Sequence, residues 1–313
     1  MHCSIETSDH TVYISPMGFA DKLVAELAER DISVLDRRAR LILAAGAPQR
    51  LCWAQNTWLQ AVFLPVKSIG DAARCLKSMQ RNWAVHPTAH FRRTALIAAN
   101  LPHVSRRPLV FGESLPVASL GAWTLWEPDL LIASRACSSR FADGEMHFAE
   151  NKTDPPGRAY LKLWEAFTLL GARPAAHETC VDLGSAPGGW TWVLASCGSR
   201  VISVDKAPLA AHIAAMPNVH YVQSSAFALE PEEMGQVDWL CCDVACYPNR
   251  LLKMIRRWLE AGNCRNFICT VKLQGEPDQE TLSALAAVPG AQLMHLSHNR
   301  HELTWVRLGL ENK

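Results

Sequence analysis

What this sequence of 313 residues lacks narrows it before any motif is read. It holds 11 cysteines but no C-x-x-C pair. A zinc site needs paired ligands at finger-like spacing, so no metal site is expected. The cysteines are odd in number and scattered through apolar runs. They read as small buried hydrophobes in a reducing cytoplasm. No apolar run reaches about 18 residues, so no membrane span is expected. The opening MHCSIETSDHTVYISPMGF has no basic segment followed by an apolar one, so no signal peptide is expected. Neither G-x-G-x-x-G nor G-x-x-x-x-G-K-[ST] occurs, which argues against a ligand held by its pyrophosphate. No internal repeat or low-complexity segment is evident.

What is present suits a globular protein with a large core: 49% hydrophobic residues, 19% charged residues and a formal net charge of +1. The length fits two domains. Acids are nearly missing from residues 41–112, where Asp71 stands against nine basic residues: Arg50, Lys67, Arg74, Lys77, Arg81, Arg92, Arg93, Arg106 and Arg107. Trp53, Trp58, Trp83 and Phe91 are interleaved with them. Cations for phosphates and flat rings for unstacked bases are what RNA binding needs. A solvated basic face over a tryptophan core is the competing reading.

Residues 1–40 read as a small α/β piece, with a strand over Thr11–Ser15 and an amphipathic helix over Phe19–Arg30. Helices are also expected at Ser68–Met79 and Thr88–Leu101. Residues 112–157 are rich in proline, serine and glycine, with isolated apolar runs at Ala122–Trp126 and Leu130–Ala133. Turn signals between Arg140 and Pro156 place the domain boundary near 150, giving domains 1–150 and 151–313.

From residue 158 helices and strands alternate. Strands are expected at Thr179–Leu183, Arg200–Asp205, Val219–Gln223, Val237–Cys242, Asn266–Leu273, Gln292–Ser297 and Glu302–Leu308. Helices are expected at Arg158–Leu170, Trp190–Cys197, Ala207–Ala215, Pro248–Ala261 and Asp278–Val288. Four residues, His298–His301, are too few for a parallel crossover, so the last two strands must form an antiparallel hairpin. The fold class is α/β: a mostly parallel seven-stranded, Rossmann-like sheet closed by that hairpin, with a smaller N-terminal α/β domain.

The chemistry gathers around TCVDLGSAPGGW, from Thr179 to Trp190. Strand, glycine turn and helix make a crevice at the carboxyl ends of a sheet. Glycines there let the backbone approach a ligand with no Cβ in the way. S-adenosylmethionine fits a turn of this kind. Asp205 ends the second strand, placed either for a ribose diol or as a helix N-cap. Asp243 ends the fourth strand, across the crevice. Lys272 lies near the end of the apolar fifth strand, where it either opens onto a cleft or has reached the surface. Lys162 and Glu302, taken alone, are an ordinary helix lysine and an ordinary strand-edge acid. Cys246 is a possible nucleophile without the usual neighbours.

Taken together, PPGRAYLKLWEAF, VDLGSAPGGWTW, SVDKAPL, WLCCDV, WLEAGNCRNFICTVKL and LSHNRHELTW resemble the FtsJ-like RNA ribose 2′-O-methyltransferases. Within them the resemblance is to the RlmM type, which acts on a cytidine ribose of large-subunit ribosomal RNA. It runs over nearly all of 155–308 and is faint before that, in SPMGFADKLVAELAE. It implies a class I methyltransferase domain using S-adenosylmethionine and releasing S-adenosylhomocysteine. It implies a catalytic tetrad of Lys162, Asp243, Lys272 and Glu302, with Lys272 as general base. It implies cofactor contacts from Gly157, Gly184, Ala186, Pro187, Gly188, Gly189, Trp190, Asp205, Ser225 and Asp243. It implies a THUMP-related or divergent N-terminal RNA-binding domain, an RNA partner that is ribosomal, a cytoplasmic location and no obligatory protein partner. Two positions depart from the family pattern. Ser225 stands where an aspartate is expected and Gly157 where a serine is expected. A second cation, Lys162, and burial are expected to lower the pKa of Lys272, with Asp243 and Glu302 limiting the shift. A non-catalytic RNA-binding protein, and a methyltransferase for a base or small molecule, are the alternatives.

Overall fold

The computed structural model describes residues 6–7, 9–105, 107–273 and 279–309. The chain divides into two compact units, 1–147 and 148–313.

The first unit runs β1 (Glu6–Thr7), β2 (His10–Ile14), α1 (Ala20–Glu29), β3 (Val34–Arg38), β4 (Leu41–Ala45), β5 (Asn56–Trp58) and β6 (Ala61–Pro65). It continues with α2 (Ile69–Met79), β7 (Trp83–Val85), α3 (Phe91–Ala99), β8 (Gly121–Glu127) and β9 (Leu130–Ser134). One sheet has the order β1-β6-β9-β8-β7 and the other β3-β4-β2-β5. Strand pairing ties the 1–40 stretch to residues 41–58, since β2 pairs with both β4 and β5. The expected partition at residue 40 therefore does not hold.

The apolar runs that look isolated at Ala122–Trp126 and Leu130–Ala133 are β8 and β9, an antiparallel pair inside the larger sheet. Successive side chains of a strand point to opposite faces, and here both faces are covered. Trp123, Leu125, Leu131 and Ala133 join the core cluster that holds Leu76 of α2 and Ile97 of α3. Ala122, Trp126 and Ile132 join a second cluster with Val12, Ile14, Leu41, Leu43 and Trp58. A strand buried on both faces shows no polar alternation and reads as a bare apolar run.

The tryptophans settle one of the open alternatives. Trp53, Trp58 and Trp83 are buried at 6%, 0% and 5% exposure, so their rings belong to the core. Phe91, at 66%, is the one ring of the four that faces solvent. Lys67, Arg74, Lys77, Arg81, Arg92 and Arg107 are exposed, as is Arg50. Arg106 lies outside the described residues.

The second unit runs α4 (Tyr160–Leu170), β10 (Thr179–Leu183), α5 (Gly189–Ser196), β11 (Arg200–Asp205), α6 (Ala211–Ala214) and β12 (Val219–Gln223). It ends with β13 (Val237–Cys242), α7 (Pro248–Ala261), β14 (Cys264–Lys272), α8 (Gln279–Ala286), β15 (Ala291–Met294) and β16 (Glu302–Arg307). The sheet order is β12-β11-β10-β13-β14-β16-β15. β12, β11, β10, β13 and β14 pair in parallel, whereas β16 is antiparallel to both its neighbours. Chain order reverses between β10 and β13, so the carboxyl ends of those two strands flank the crevice.

Three expected boundaries shift. The helix expected from Ala207 is only α6, because Asp205 Oδ1 accepts the Ala207 N–H at 2.9 Å and Pro208 comes next. β15 stops at Met294, short of the expected Ser297, because the Ser297 N–H turns away to a carboxylate of Glu165 at 2.8 Å. The expected start of α8 at Asp278 lies outside the described residues.

Candidate active site

The crevice begins with the glycine turn after β10. Gly184 sits at φ +75° and Gly188 at φ +115°, where side chains other than glycine are strained. A Cβ on Gly184 would lie 2.4 Å from Val244 Cγ2, so this glycine lets β10 and the loop after β13 approach. A Cβ on Gly188 would lie 2.8 Å from Ile213 Cγ2 of α6. Gly188 therefore makes room for a helix, which corrects the expectation that its missing side chain opens the ligand path. A Cβ on Gly189 would make ordinary 3.6 Å contacts, and one on Gly157 would meet open space.

Asp205 ties the turn to the end of β11. Its Oδ2 accepts the Ala186 N–H at 3.0 Å while Oδ1 accepts the Ala207 N–H. It does not cap α6, whose N-cap is Ala210. Each carboxylate oxygen keeps a lone pair for a hydroxyl donor. Pro187 is exposed and Ala186 half-buried beside it. Ser185 Oγ is buried with no hydrogen-bond partner among the described residues, a polar atom facing an unmet need. An orphan hydroxyl, a glycine turn and an acid on the neighbouring strand fit S-adenosylmethionine: Asp205 would hold the ribose and the turn would face the rest. Trp190 fits this only through its backbone. Its ring is 4% exposed and its indole N–H donates to Ala159 O at 3.0 Å. Ser225 is half-buried, and its Oγ accepts the Phe227 N–H at 3.4 Å.

Beside the turn the four residues of the expected tetrad close into a ring. Lys162 Nζ donates to Asp243 Oδ2 at 2.6 Å and to Glu302 Oε1 at 3.0 Å. Lys272 Nζ donates to Asp243 Oδ1 at 2.6 Å and to Glu302 Oε2. Two ammoniums and two carboxylates alternate, so the formal charges cancel and each carboxylate oxygen is used once. A buried cluster of charges is tolerable only when paired and hydrogen-bonded in this way. The elements explain the meeting. Lys162 comes from α4, Asp243 from the residue after β13, Lys272 from the last position of β14, and Glu302 from the first of β16. The Asp243 N–H donates to Leu183 O at 3.1 Å, holding the acid beside the glycine turn.

Side-chain exposure ranks the two lysines. Lys272 shows 20% and Lys162 10%, so Lys272 is the amine more open to a substrate. Lys272 has thus not simply reached the surface at a strand end.

The electrostatics correct one expectation. Burial alone would lower the pKa of Lys272, but the carboxylates of Asp243 and Glu302 outweigh it and hold that pKa above the ordinary lysine value. For Asp243, burial raises the pKa, and the ammoniums of Lys162 and Lys272 outweigh it and hold it below the usual carboxylate range. Lys272 is therefore charged at neutral pH in the free protein. The reason is proximity: each ammonium touches two carboxylates and no other ammonium.

Asp182 of β10 is a buried acid that sequence reasoning passed over. It is fully buried, and Thr191 Oγ1 donates to its Oδ2 at 2.7 Å. Burial first, then the nearby Asp243 and Asp205, push its pKa up to about 7 against the pull of the Thr191 bond. Its position inside an apolar strand was the available signal. Cys246 is 7% exposed, and burial, then Cys242, pushes its thiol up to about 11. Such a thiol is no nucleophile near neutral pH. Among the described residues no cluster of histidine, cysteine, aspartate or glutamate is arranged to hold a metal ion.

Residues 156–288 match the family described as FtsJ-like methyltransferase. Ribosomal RNA large subunit methyltransferase M from Halorhodospira halophila is 39% identical over 157 residues, covering 48% of this chain and 46% of that protein. The protein of that name from Aromatoleum aromaticum is 36% identical over 163 residues, covering 47% and 44%. That from Thauera aminoaromatica is 34% identical over 168 residues, covering 49% and 46%. The chain spans about half the length of the curated relatives it matches. The glycine turn, the acid after β11 and the ring of four lie within the second unit, where this match falls. The second unit of this chain belongs to the FtsJ-like methyltransferases.

Proposed function

We propose that the chain is an S-adenosylmethionine-dependent 2′-O-ribose methyltransferase acting on RNA, and that the RNA is ribosomal. The observation that carries this is the closed ring of Lys162, Asp243, Lys272 and Glu302 beside the glycine turn. S-adenosylmethionine, when bound, supplies an electrophilic methyl group on a sulfonium. The chain must supply a nucleophile and its orientation. A ribose hydroxyl is a poor nucleophile until its proton leaves, and Lys272, once deprotonated, accepts that proton. Asp243 and Glu302 fix the direction of its lone pair. Lys162 neutralises both acids and keeps them in place. The raised pKa of Lys272 means that only a small fraction is competent at neutral pH, so positioning supplies much of the acceleration.

The relatives' names support the ribosomal target, and the exposed cations of the first unit support RNA binding. In that unit, Val85, Pro87, Phe91, Thr94, Ala95 and Ala98 line an open groove of about 470 Å³. A base stacked on Phe91, with Arg92 next to it on α3 for a phosphate, is the contact this surface suits. A THUMP-related role for the first unit and a cytoplasmic location belong to the same reading. No helix among the described residues is long and apolar enough to cross a membrane. Base methylation through Cys246 is disfavoured by its buried thiol. A purely binding protein would have no use for a buried ring of four charges.

The test is a map of 2′-O-methyl marks on ribosomal RNA from cells with and without the protein. Loss of a mark supports the proposal, and an unchanged map refutes it.

A further inference from the structure

We propose that Glu165 is the positioning residue that sets the ring's geometry, by clamping the connection between β15 and β16 onto α4. This rests on the methyltransferase reading and extends it. Glu165 follows Lys162 by three positions on α4, so the two share a helix face. Its side chain is 2% exposed. Its two oxygens are filled from just two consecutive residues of the connection. Oε1 accepts the Ser297 N–H and Oγ–H, each at 2.8 Å. Oε2 accepts the His298 N–H at 3.0 Å and pairs with His298 Nδ1 at 2.6 Å.

A buried carboxylate holding four donors from one short segment is a rigid joint. What it joins are the two carriers of the ring. α4 brings Lys162, and the clamped connection leads directly into Glu302. The same connection reaches the lysine strand, where the Leu273 N–H donates to His301 O at 3.0 Å. Further along, Asn299 Nδ2 donates to Thr304 Oγ1 at 3.0 Å, which fixes the turn against β16. Glu165 therefore acts through Lys162 and Glu302 rather than on a substrate. The glycine turn and Asp205 lie on elements it does not join, so cofactor binding is independent of it.

The experiment uses the full chain and two readouts. One is single-turnover methyl transfer to ribosomal RNA, with cofactor affinity measured separately. The other, free of substrate, is hydrogen exchange of the Lys162 side-chain ammonium by nitrogen-15 NMR. Glu165→Gln leaves Oε1 able to accept but turns an amide against the His298 donors. It should lower the transfer rate on the order of 100-fold, keep cofactor affinity and the KM for RNA, and speed exchange at Lys162. His298→Ala should lower the rate by about tenfold, and His298→Asn, which restores a donor near Nδ1, should recover most of it. If Glu165→Gln does not fold, the two His298 variants decide by the same readouts. Wild-type transfer with unchanged ammonium exchange overturns the proposal. So does a loss of rate matched by an equal loss of cofactor affinity. A wild-type chain that transfers nothing to RNA removes the methyltransferase reading instead, and the ammonium exchange still decides on Glu165.

Discussion

Lys272 and Glu302 stand directly opposite each other across the antiparallel pair β14 and β16. Directly opposed residues place their Cβ atoms about 5 Å apart on one face. The register thus delivers an amine and a carboxylate to the same point of the crevice rim, where Asp243 and Lys162 complete the ring. A slip of one residue would send Glu302 to the other face of the sheet.

That pairing sets the pH dependence. kcat/KM reports the free protein, in which the carboxylates hold Lys272 above the ordinary lysine value of 10.5. The logarithm of kcat/KM should rise with unit slope from neutral pH and reach no plateau below that value. A plateau near pH 8 in steady-state kinetics would mean that Lys272 is not the group being deprotonated. Stability carries the same sign. The Lys272 contribution is fully present below the unfolded-chain value of about 10.4 and is lost as pH rises through the raised folded value.

Asp182 has the opposite linkage. Its folded pKa of about 7 lies above the ordinary aspartate value of 3.8, so between them the native state binds more protons than the unfolded chain. The stability it contributes therefore falls as pH rises from 3.8 towards 7. Urea midpoints across that window should show a downward component in wild type that Asp182→Asn lacks. Parallel curves would show that Asp182 titrates normally.

The cofactor site separates two kinds of change. Asp205→Ala removes the acceptor for a ribose and should weaken S-adenosylmethionine binding in calorimetry by tenfold or more, on the order of 1.4 kcal/mol. Gly184→Ala adds a Cβ at 2.4 Å from Val244 and should instead lower thermal stability, on the order of 1–3 kcal/mol. Equal cofactor affinity in Asp205→Ala would remove this acid from the site.

RNA binding by the first unit should separate charge from stacking. Arg92→Ala should weaken RNA binding and reduce the log–log salt slope by about 1. Phe91→Ala should weaken binding by about 1–3 kcal/mol with the slope unchanged. Filter binding at several salt concentrations that finds neither effect would give the groove another purpose.

The second unit is legible in the sequence because its strands are short, apolar and separated by turn signals. β10, β11, β12 and β13 have the bounds read from sequence, as has α7. The first unit is less legible because β8 and β9 are buried on both faces and carry no alternation to read. Composition likewise could not say that Trp53, Trp58 and Trp83 point inward, since orientation comes from sheet pairing rather than from spacing. In the ring, each residue's identity and order could be read, but not the closed pattern of contacts. That pattern decides the sign of the Lys272 shift, which is why two nearby charges of unlike sign outweigh the expected effect of Lys162. Glu165 looks like an ordinary helix glutamate because its partners lie more than 130 residues away along the chain.

Single-turnover methyl transfer by Lys272→Arg, beside Lys272→Ala, tests most directly whether Lys272 takes the proton from the attacking hydroxyl. Arginine keeps the positive charge but stays protonated at any workable pH. Both variants should bind S-adenosylmethionine as wild type does, and neither should transfer a methyl group to RNA. Substantial transfer by Lys272→Arg would contradict the account and leave Lys272 as an electrostatic anchor.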